Sequence, residues 1–101
     1  MRWPYPRTPL IARNLPPLYS EGQRVLTERV KAQFPVGMSE ALVIDELRRQ
    51  GFSIHAHSIE SNLKSATVTR GLVIKTLWSV RWHARAGRIE DIWGVYGAIA
   101  P

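Results

Sequence analysis

The second half of the chain alternates between apolar and polar residues with a period of two. Between residues 66 and 83, the apolar positions on one side are Leu72, Ile74, Trp78, Val80 and Trp82. The positions on the other side carry Lys75, Ser79, Arg81 and His83. This period is typical of a β-strand that packs one side on a core and leaves the other in water. We therefore expect a sheet whose tryptophan-bearing face is buried.

Neighbouring segments extend the predicted sheet on both sides of this run. Residues 52–57 alternate in the same way and indicate a first strand, whereas residues 58–65 are predicted as a loop. Residues 84–87 supply a short hairpin loop with a glycine near its end. The sheet is therefore expected to be antiparallel.

The last strand is predicted to run from Arg88 to about Tyr96. Its apolar residues Ile89 and Ile92 are three positions apart, so strict alternation fails there. A β-bulge near Glu90-Asp91 would bring both isoleucines to the same face, because a bulge inserts one extra residue into a strand.

A first helix is predicted to begin at Ser20 and to end before Pro35. Ser20 and Gln23 have the spacing of a capping box, in which each side chain binds a free backbone N–H at the start of a helix. Apolar residues then recur at helical spacing: Val25, Leu26, Val30 and Phe34. Proline pushes the residue before it out of the helical conformation, so the helix ends there.

A second helix is predicted to follow, with Ser39 as its N-cap and Glu40 in its first turn. Its apolar stripe consists of Leu42, Val43, Ile44 and Leu47. Gly51 is well placed to end the helix in a left-handed conformation, which brings Phe52 against Leu47 as in a Schellman motif.

These elements predict an α+β fold in α-α-β-β-β order. Two helices pack on one face of a three- to four-stranded antiparallel sheet, because each must bury its apolar stripe. Residues 20–101 form this single domain. Residues 1–19 are predicted to be a flexible basic arm, since five of the seven prolines lie within residues 1–20.

The basic charge of the chain indicates an anionic partner. The formal net charge is +6, from 14 Lys and Arg against 8 Asp and Glu. A cationic sheet face and hairpin form the candidate interaction surface, which comprises Arg70, Lys75, Arg81, His83, Arg85 and Arg88. Such a surface could bind nucleic acid or an anionic lipid surface, although an exposed aromatic platform is missing unless Trp93 or Tyr96 provides one.

Catalytic and cofactor-binding patterns are absent from the sequence. The chain has no cysteine, no glycine-rich phosphate loop and no nucleophile motif. His55 and His57 would share one face of a strand, with His83 or Glu60 as a third ligand, but zinc needs three or four ligands in a fixed geometry. We predict two surface histidines, no metal, no cofactor and no enzymatic activity. No apolar run is long enough to cross a bilayer.

Several segments resemble small bacterial envelope proteins of the BamE (SmpA/OmlA) type. They are the run from Phe34 to Ser39, the helix to Leu47, Gly51-Phe52, the Trp78-x-Val80-x-Trp82 strand and Gly87-Arg88-Ile89. The resemblance covers roughly residues 20–97 and implies a β-lactamase-inhibitor-protein-like fold and an accessory role. The family's lipid-bearing cysteine and signal sequence have no counterpart in this sequence.

The expected function is that of a non-enzymatic protein-interaction or accessory module whose partner is another protein. The alternative is binding of nucleic acid or an anionic surface through the basic sheet face and the arm. A chain that is complete as given is expected in the cytoplasm, and one that has lost an upstream signal in the cell envelope. The oligomeric state stays open.

Overall fold

A computed structural model of the protein describes residues 8–56 and 62–99. Two helices precede a four-stranded sheet, so the predicted α+β fold is confirmed, with four strands in α-α-β-β-β-β order. A short 3-10 turn, Leu10–Ala12, comes first. The remaining elements are α1 (Tyr19–Gln33), α2 (Glu40–Arg49), β1 (Ser53–Ala56), β2 (Leu63–Arg70), β3 (Lys75–Arg85) and β4 (Arg88–Ile99).

The four strands lie in the sheet in chain order, and every neighbouring pair is antiparallel. Val80 at the centre of β3 pairs with Ala66 on β2 and with Gly94 on β4. Trp78 and Trp82 share the face of Val80 and are buried, as the alternation predicted. This face, which the helices cover, is called the inner face below, and the opposite side is the outer face.

The predicted bulge in β4 is confirmed at Glu90. His83 pairs with Asp91, whereas the next residue of β3, Ala84, pairs with Ile89. Glu90 is therefore the extra residue, and Ile89 and Ile92 both become buried. The hairpin before β4 turns through Ala86 and Gly87, which both have positive φ angles.

Helix α1 lies close to β4 because two backbones can approach each other at a glycine. A Cβ atom on Gly94 would lie 2.7 Å from Cγ of Leu26. The Thr27 hydroxyl donates to the Gly94 carbonyl at 3.3 Å and accepts from the Gly94 N–H at 3.0 Å. Helix α1 thus provides hydrogen-bond partners for backbone groups at the free edge of β4. These groups would otherwise be open to pairing with another strand.

The C-terminal end of α2 forms the predicted Schellman motif. Gly51 has a φ of +98° and donates to the Arg48 carbonyl at 3.0 Å, while Phe52 donates to the Leu47 carbonyl at 3.0 Å. Leu47 and Phe52 are both buried in the core. Sequence alone therefore located this helix end correctly.

The predicted start of α1 is wrong. The helix begins at Tyr19 with Leu18 as its N-cap, and no side chain caps it. Gln23 instead turns toward the sheet, where its Oε1 atom accepts from the Tyr96 N–H at 3.4 Å. A tertiary contact thus replaces the predicted capping box.

Three apolar residues between β2 and β3 also differ from the prediction. Leu72, Val73 and Ile74 are 79%, 70% and 65% exposed and lie in the connection between the two strands. Gly71, with a φ of +129°, ends β2 and starts this turn. Leu72 and Ile74 are therefore not part of the buried sheet face.

Two smaller predictions need correction. Strand β2 already begins at Leu63, so the loop predicted over residues 58–65 is wrong for its last three residues, and its residues 58–61 lie outside the described ranges. Leu42 on α2 is 57% exposed, whereas Val43 and Leu47 are buried. The helix buries a narrower stripe than the pattern indicated.

The described part of the predicted arm packs onto the domain. Ile11 and Ala12 are buried in the core. The Ile11 N–H donates to Oε1 of Gln50 at 2.9 Å, and Arg29 donates to the Ile11 carbonyl at 3.2 Å. Ile11 and Ala12 thus pack on the domain, whereas Arg13 and Leu18 are exposed, and residues 1–7 lie outside the described ranges.

Candidate functional site

In the part of the chain that the structure describes, both helices lie on the inner face and the outer face of the sheet stays uncovered. One row of side chains crosses all four strands on the outer face, and the register aligns them in the order His55, Ser65, Arg81 and Trp93. Paired residues of antiparallel strands project from the same side of a sheet. These four residues are called the central row below.

An apolar strip follows β4 along the outer face. Trp93, Val95 and Ile99 project from this side of β4, and Leu77 projects beside them from β3. The side chains of Trp93, Val95 and Leu77 are half-buried, and that of Ile99 is exposed. This side of the outer face is therefore a partly solvent-exposed apolar surface. None of the helices in residues 8–56 and 62–99 covers it.

Small hydroxyl residues occupy the middle of the outer face. Ser65 and Ser79 are buried, and the hydroxyl oxygens of Ser79 and Thr67 are 3.3 Å apart. These short hydroxyl side chains separate Arg81 and the apolar strip from the residues of β1 on the same face.

Arg81 contributes an unpaired charge to the central row. Its Nε atom is shielded from solvent and has no hydrogen-bond partner. Within residues 8–56 and 62–99, the guanidinium makes no ion pair either. Donors of this kind are normally satisfied, so an unpaired one marks a position that a partner could complete.

Only some of the predicted cations share the outer face. Lys75, Arg81, His83 and Arg85 project from it along β3, and Arg88 shares this side through its pairing with Arg85. Arg70 pairs with Thr76, so its side chain projects on the same side as the inner face. It donates a hydrogen bond to the Thr8 hydroxyl at 3.2 Å. The prediction of Arg70 on the outer face is therefore wrong.

The two hairpin cations are engaged near the hairpin. Arg88 donates to the Gly37 carbonyl at 2.9 Å, and Arg85 lies 3.8 Å from a carboxylate oxygen of Glu90. The six predicted residues thus do not form one continuous cationic surface. Arg81 remains as the central cation of the sheet face.

The charges on the helices are largely balanced within each helix. The hydrogen bond that Arg24 donates to Glu21 raises the pKa of Arg24, with Glu28 adding to the effect. The hydrogen bond from Arg49 to Glu46 raises the pKa of Arg49 in the same way. Arg24 and Arg49 therefore already have anionic partners, unlike Arg81.

The two described histidines of the outer face lie in different surroundings. His83 packs its ring 5.4 Å from Trp93 and lies 3.8 Å from a carboxylate oxygen of Asp91. His55 is exposed at the other end of the central row. The predicted His57 and Glu60 ligands lie outside the described ranges, and the described residues contain no group of three potential metal ligands.

A polar network on the inner face was not predicted from the sequence. Glu40 accepts a hydrogen bond from the indole N–H of Trp82 at 2.8 Å and one from the Lys64 ammonium at 3.0 Å. Lys64 has inner-face parity because it pairs with Trp82. From the sequence, Glu40 was predicted only to stabilise the start of α2. No local pattern indicated its contacts with Lys64 and Trp82, which are distant in the sequence.

Shallow depressions are found at three places on the described surface. One of about 380 Å³ lies over β1 and β2 beside His55 and Thr67. Another of about 310 Å³ lies between Asn62, His83 and Asp91. Both border the central row, whereas the third, of about 200 Å³, lies beside Phe34 at the end of α1. The outer face is therefore uneven at both ends of the row.

Among the described residues, no helix combines the length and the apolar character needed to cross a membrane. Comparison with protein-family models, with curated proteins and with solved structures found no match.

Proposed function

We propose that this protein is a non-enzymatic protein-interaction module whose outer sheet face binds a segment of a partner protein. The observation that carries the proposal is the composition of this face, where an apolar strip with Trp93 runs beside the unpaired Arg81. Tryptophan and arginine are among the residues that contribute most to binding energy at protein interfaces.

The face is a better candidate than the β4 edge of the sheet. Residues 37–38 hydrogen-bond with Ile89 at the start of β4, and Thr27 and Gln23 bind its backbone at Gly94 and Tyr96. A partner strand would have to displace these contacts to pair with β4. In residues 8–56 and 62–99, a segment that lies across the outer face has no comparable backbone contacts to displace.

The apolar strip gives a physical reason for binding. Covering half-buried apolar side chains removes further apolar area from water at about 25 cal/mol per Å². The helix pair followed by an antiparallel sheet also supports the accessory role implied by the BamE-type resemblance.

Site-specific photo-crosslinking in the cell that produces the protein tests the proposal. A photoreactive phenylalanine replaces Thr69 on the outer face in one variant and the exposed Ala41 on α2 in the matched control. We expect an adduct of discrete mass from the Thr69 position and none from the Ala41 position. Identical adducts from both positions, or none from Thr69 in a folded variant, would refute the proposal.

Binding of single-stranded nucleic acid through the same face is the second candidate function. Trp93 beside Arg81 provides an aromatic ring on which a base could stack. Two observations weaken this candidate: Arg70 lies on the inner-face side, and Arg85 and Arg88 already contact Glu90 and the Gly37 carbonyl. It predicts retention on single-stranded DNA at about 50 mM salt, with weaker binding after Arg81→Ala plus Arg88→Ala. A chain that flows through at this salt concentration rules the candidate out.

A further inference from the structure

Resting on the proposed function, we infer that Arg81 binds a single carboxylate of the partner segment, and that an apolar neighbour of this carboxylate lies on Trp93. The outer face then recognises one acidic residue, or a chain end, next to an apolar side chain. The residues of the central row carry this inference through their pairing, burial and charge.

The guanidinium needs an acceptor that the described part of the chain does not supply. Its Nε–H is shielded from solvent and unpaired, so water compensates it poorly. A carboxylate can accept two parallel hydrogen bonds from an arginine side chain, one of them from Nε. Ser65 and Ser79, which flank Arg81 on this face, have short side chains.

The charge around Arg81 fits a monoanion. The nearest described row on one side holds His83 and Asp91, with 3.8 Å between the imidazole and the carboxylate. Glu90 adds a second acid at this end of β4, where it lies 3.8 Å from Arg85. The Asp91 carboxylate, in the next row of the outer face, would repel a phosphate with two negative charges more than a carboxylate with one, so a carboxylate is the better match.

Trp93 determines what lies next to the carboxylate. It pairs directly with Arg81 across β3 and β4, and such pairs have Cβ atoms about 5 Å apart. A group attached one or two bonds from the bound carboxylate therefore reaches the indole ring. Val95 extends the apolar surface along the same strand.

Nuclear magnetic resonance titration with small probes tests the inference without the partner. The signals observed are the Nε–H of Arg81 and the indole N–H of Trp93 in ¹⁵N-labelled protein. The probes are phenylacetate, the uncharged 2-phenylacetamide and phenyl phosphate. We expect phenylacetate to shift both signals in a saturable way, and 2-phenylacetamide to leave the Arg81 signal unchanged.

Two variants complete the test. Arg81→Gln is expected to weaken phenylacetate binding at least about tenfold, because a charge-assisted hydrogen bond is lost. Arg85→Gln, at an exposed arginine of the hairpin, is the matched control and should bind as the wild type does. The amide spectrum of each variant verifies its fold.

Each contrary outcome has a definite meaning. Equal shifts with phenylacetate and 2-phenylacetamide, unchanged binding by Arg81→Gln, or tighter binding of phenyl phosphate would overturn the carboxylate inference. If crosslinking from Thr69 persists in that case, the proposed function stands and only the inference fails. If phenylacetate binds as expected but Thr69 gives no adduct, the proposed function is the part that fails.

Discussion

Replacement of Glu40 by alanine tests the network that joins α2 to the inner face of the sheet. The carboxylate accepts from the Trp82 indole at 2.8 Å and from the Lys64 ammonium at 3.0 Å. Trp82 is 0% exposed, so its N–H cannot turn to water when the carboxylate is removed. We expect Glu40→Ala to be among the more destabilising single changes in α2.

The magnitude follows from three contributions. An unsatisfied buried donor on Trp82 costs about 1–3 kcal/mol. Loss of the partly exposed ion pair with Lys64 adds about 0.2–1 kcal/mol, and loss of a first-turn acid adds about 0.3–1 kcal/mol. Together the free energy of unfolding should fall by about 2–4 kcal/mol. Glu40→Gln keeps an acceptor for Trp82 and should cost only about 1 kcal/mol.

Urea unfolding at pH 7, followed by circular dichroism, measures these differences. With a slope of about 2 kcal/mol per molar urea, in the middle of the usual range, Glu40→Ala should lower the midpoint by about 1–2 M. Asp45→Ala, at an exposed acid on the same helix, is the control and should change stability by less than about 0.5 kcal/mol. Equal effects of the alanine changes at Glu40 and Asp45 would refute the network.

Three further predictions use matched pairs in the same unfolding assay. Gly94→Ala should cost about 1–3 kcal/mol because its Cβ would meet Leu26, whereas Gly97→Ala, with nothing within 4 Å, should cost little; similar costs would contradict the close approach of α1. Ile11→Ala should lower the free energy of unfolding by about 2–4 kcal/mol, and Leu10→Ala, at an exposed residue, by less than about 0.5 kcal/mol. Equal losses would show that Ile11 does not pack in the core. Arg81→Leu should leave stability within about 0.5 kcal/mol of wild type, because the guanidinium has no described partner to lose. A large loss with Arg81→Leu would give that residue a structural role.

Much of the fold could be predicted because a few local signals allow only one structure. Gly51 in a left-handed conformation ends α2, and Pro35 stops α1 from continuing. The alternation through Trp78 and Trp82 assigns the inner face of β3 because a period of two leaves no other choice. The bulge at Glu90 was predictable from the spacing of the isoleucines beside it.

The alternation was misleading where it continued past the end of a strand. Leu72 and Ile74 keep the parity of Trp78, yet they form an exposed turn. The available signal was Gly71, which can adopt the positive φ that ends β2. A periodic pattern cannot by itself distinguish a strand from an aliphatic turn that keeps the same parity.

The candidate site was only partly predictable. Arg81 was identified from the polar side of the alternation, but its neighbour Trp93 depends on the register after the bulge. The partners of Arg70 and Arg88, Thr8 and the Gly37 carbonyl, are far away in the sequence. Long-range contacts of this kind depend on packing and leave no local pattern.

The accessibility of the tryptophans tests the central claim most directly, namely that the helices cover one face of the sheet and leave the other open. The protein is labelled with 5-fluorotryptophan, its ¹⁹F signals are assigned by single substitutions to phenylalanine, and a soluble gadolinium chelate is added. The account predicts strong broadening of the Trp93 signal and none of the Trp82 signal. Equal broadening of both signals, or a protected Trp93, would contradict it.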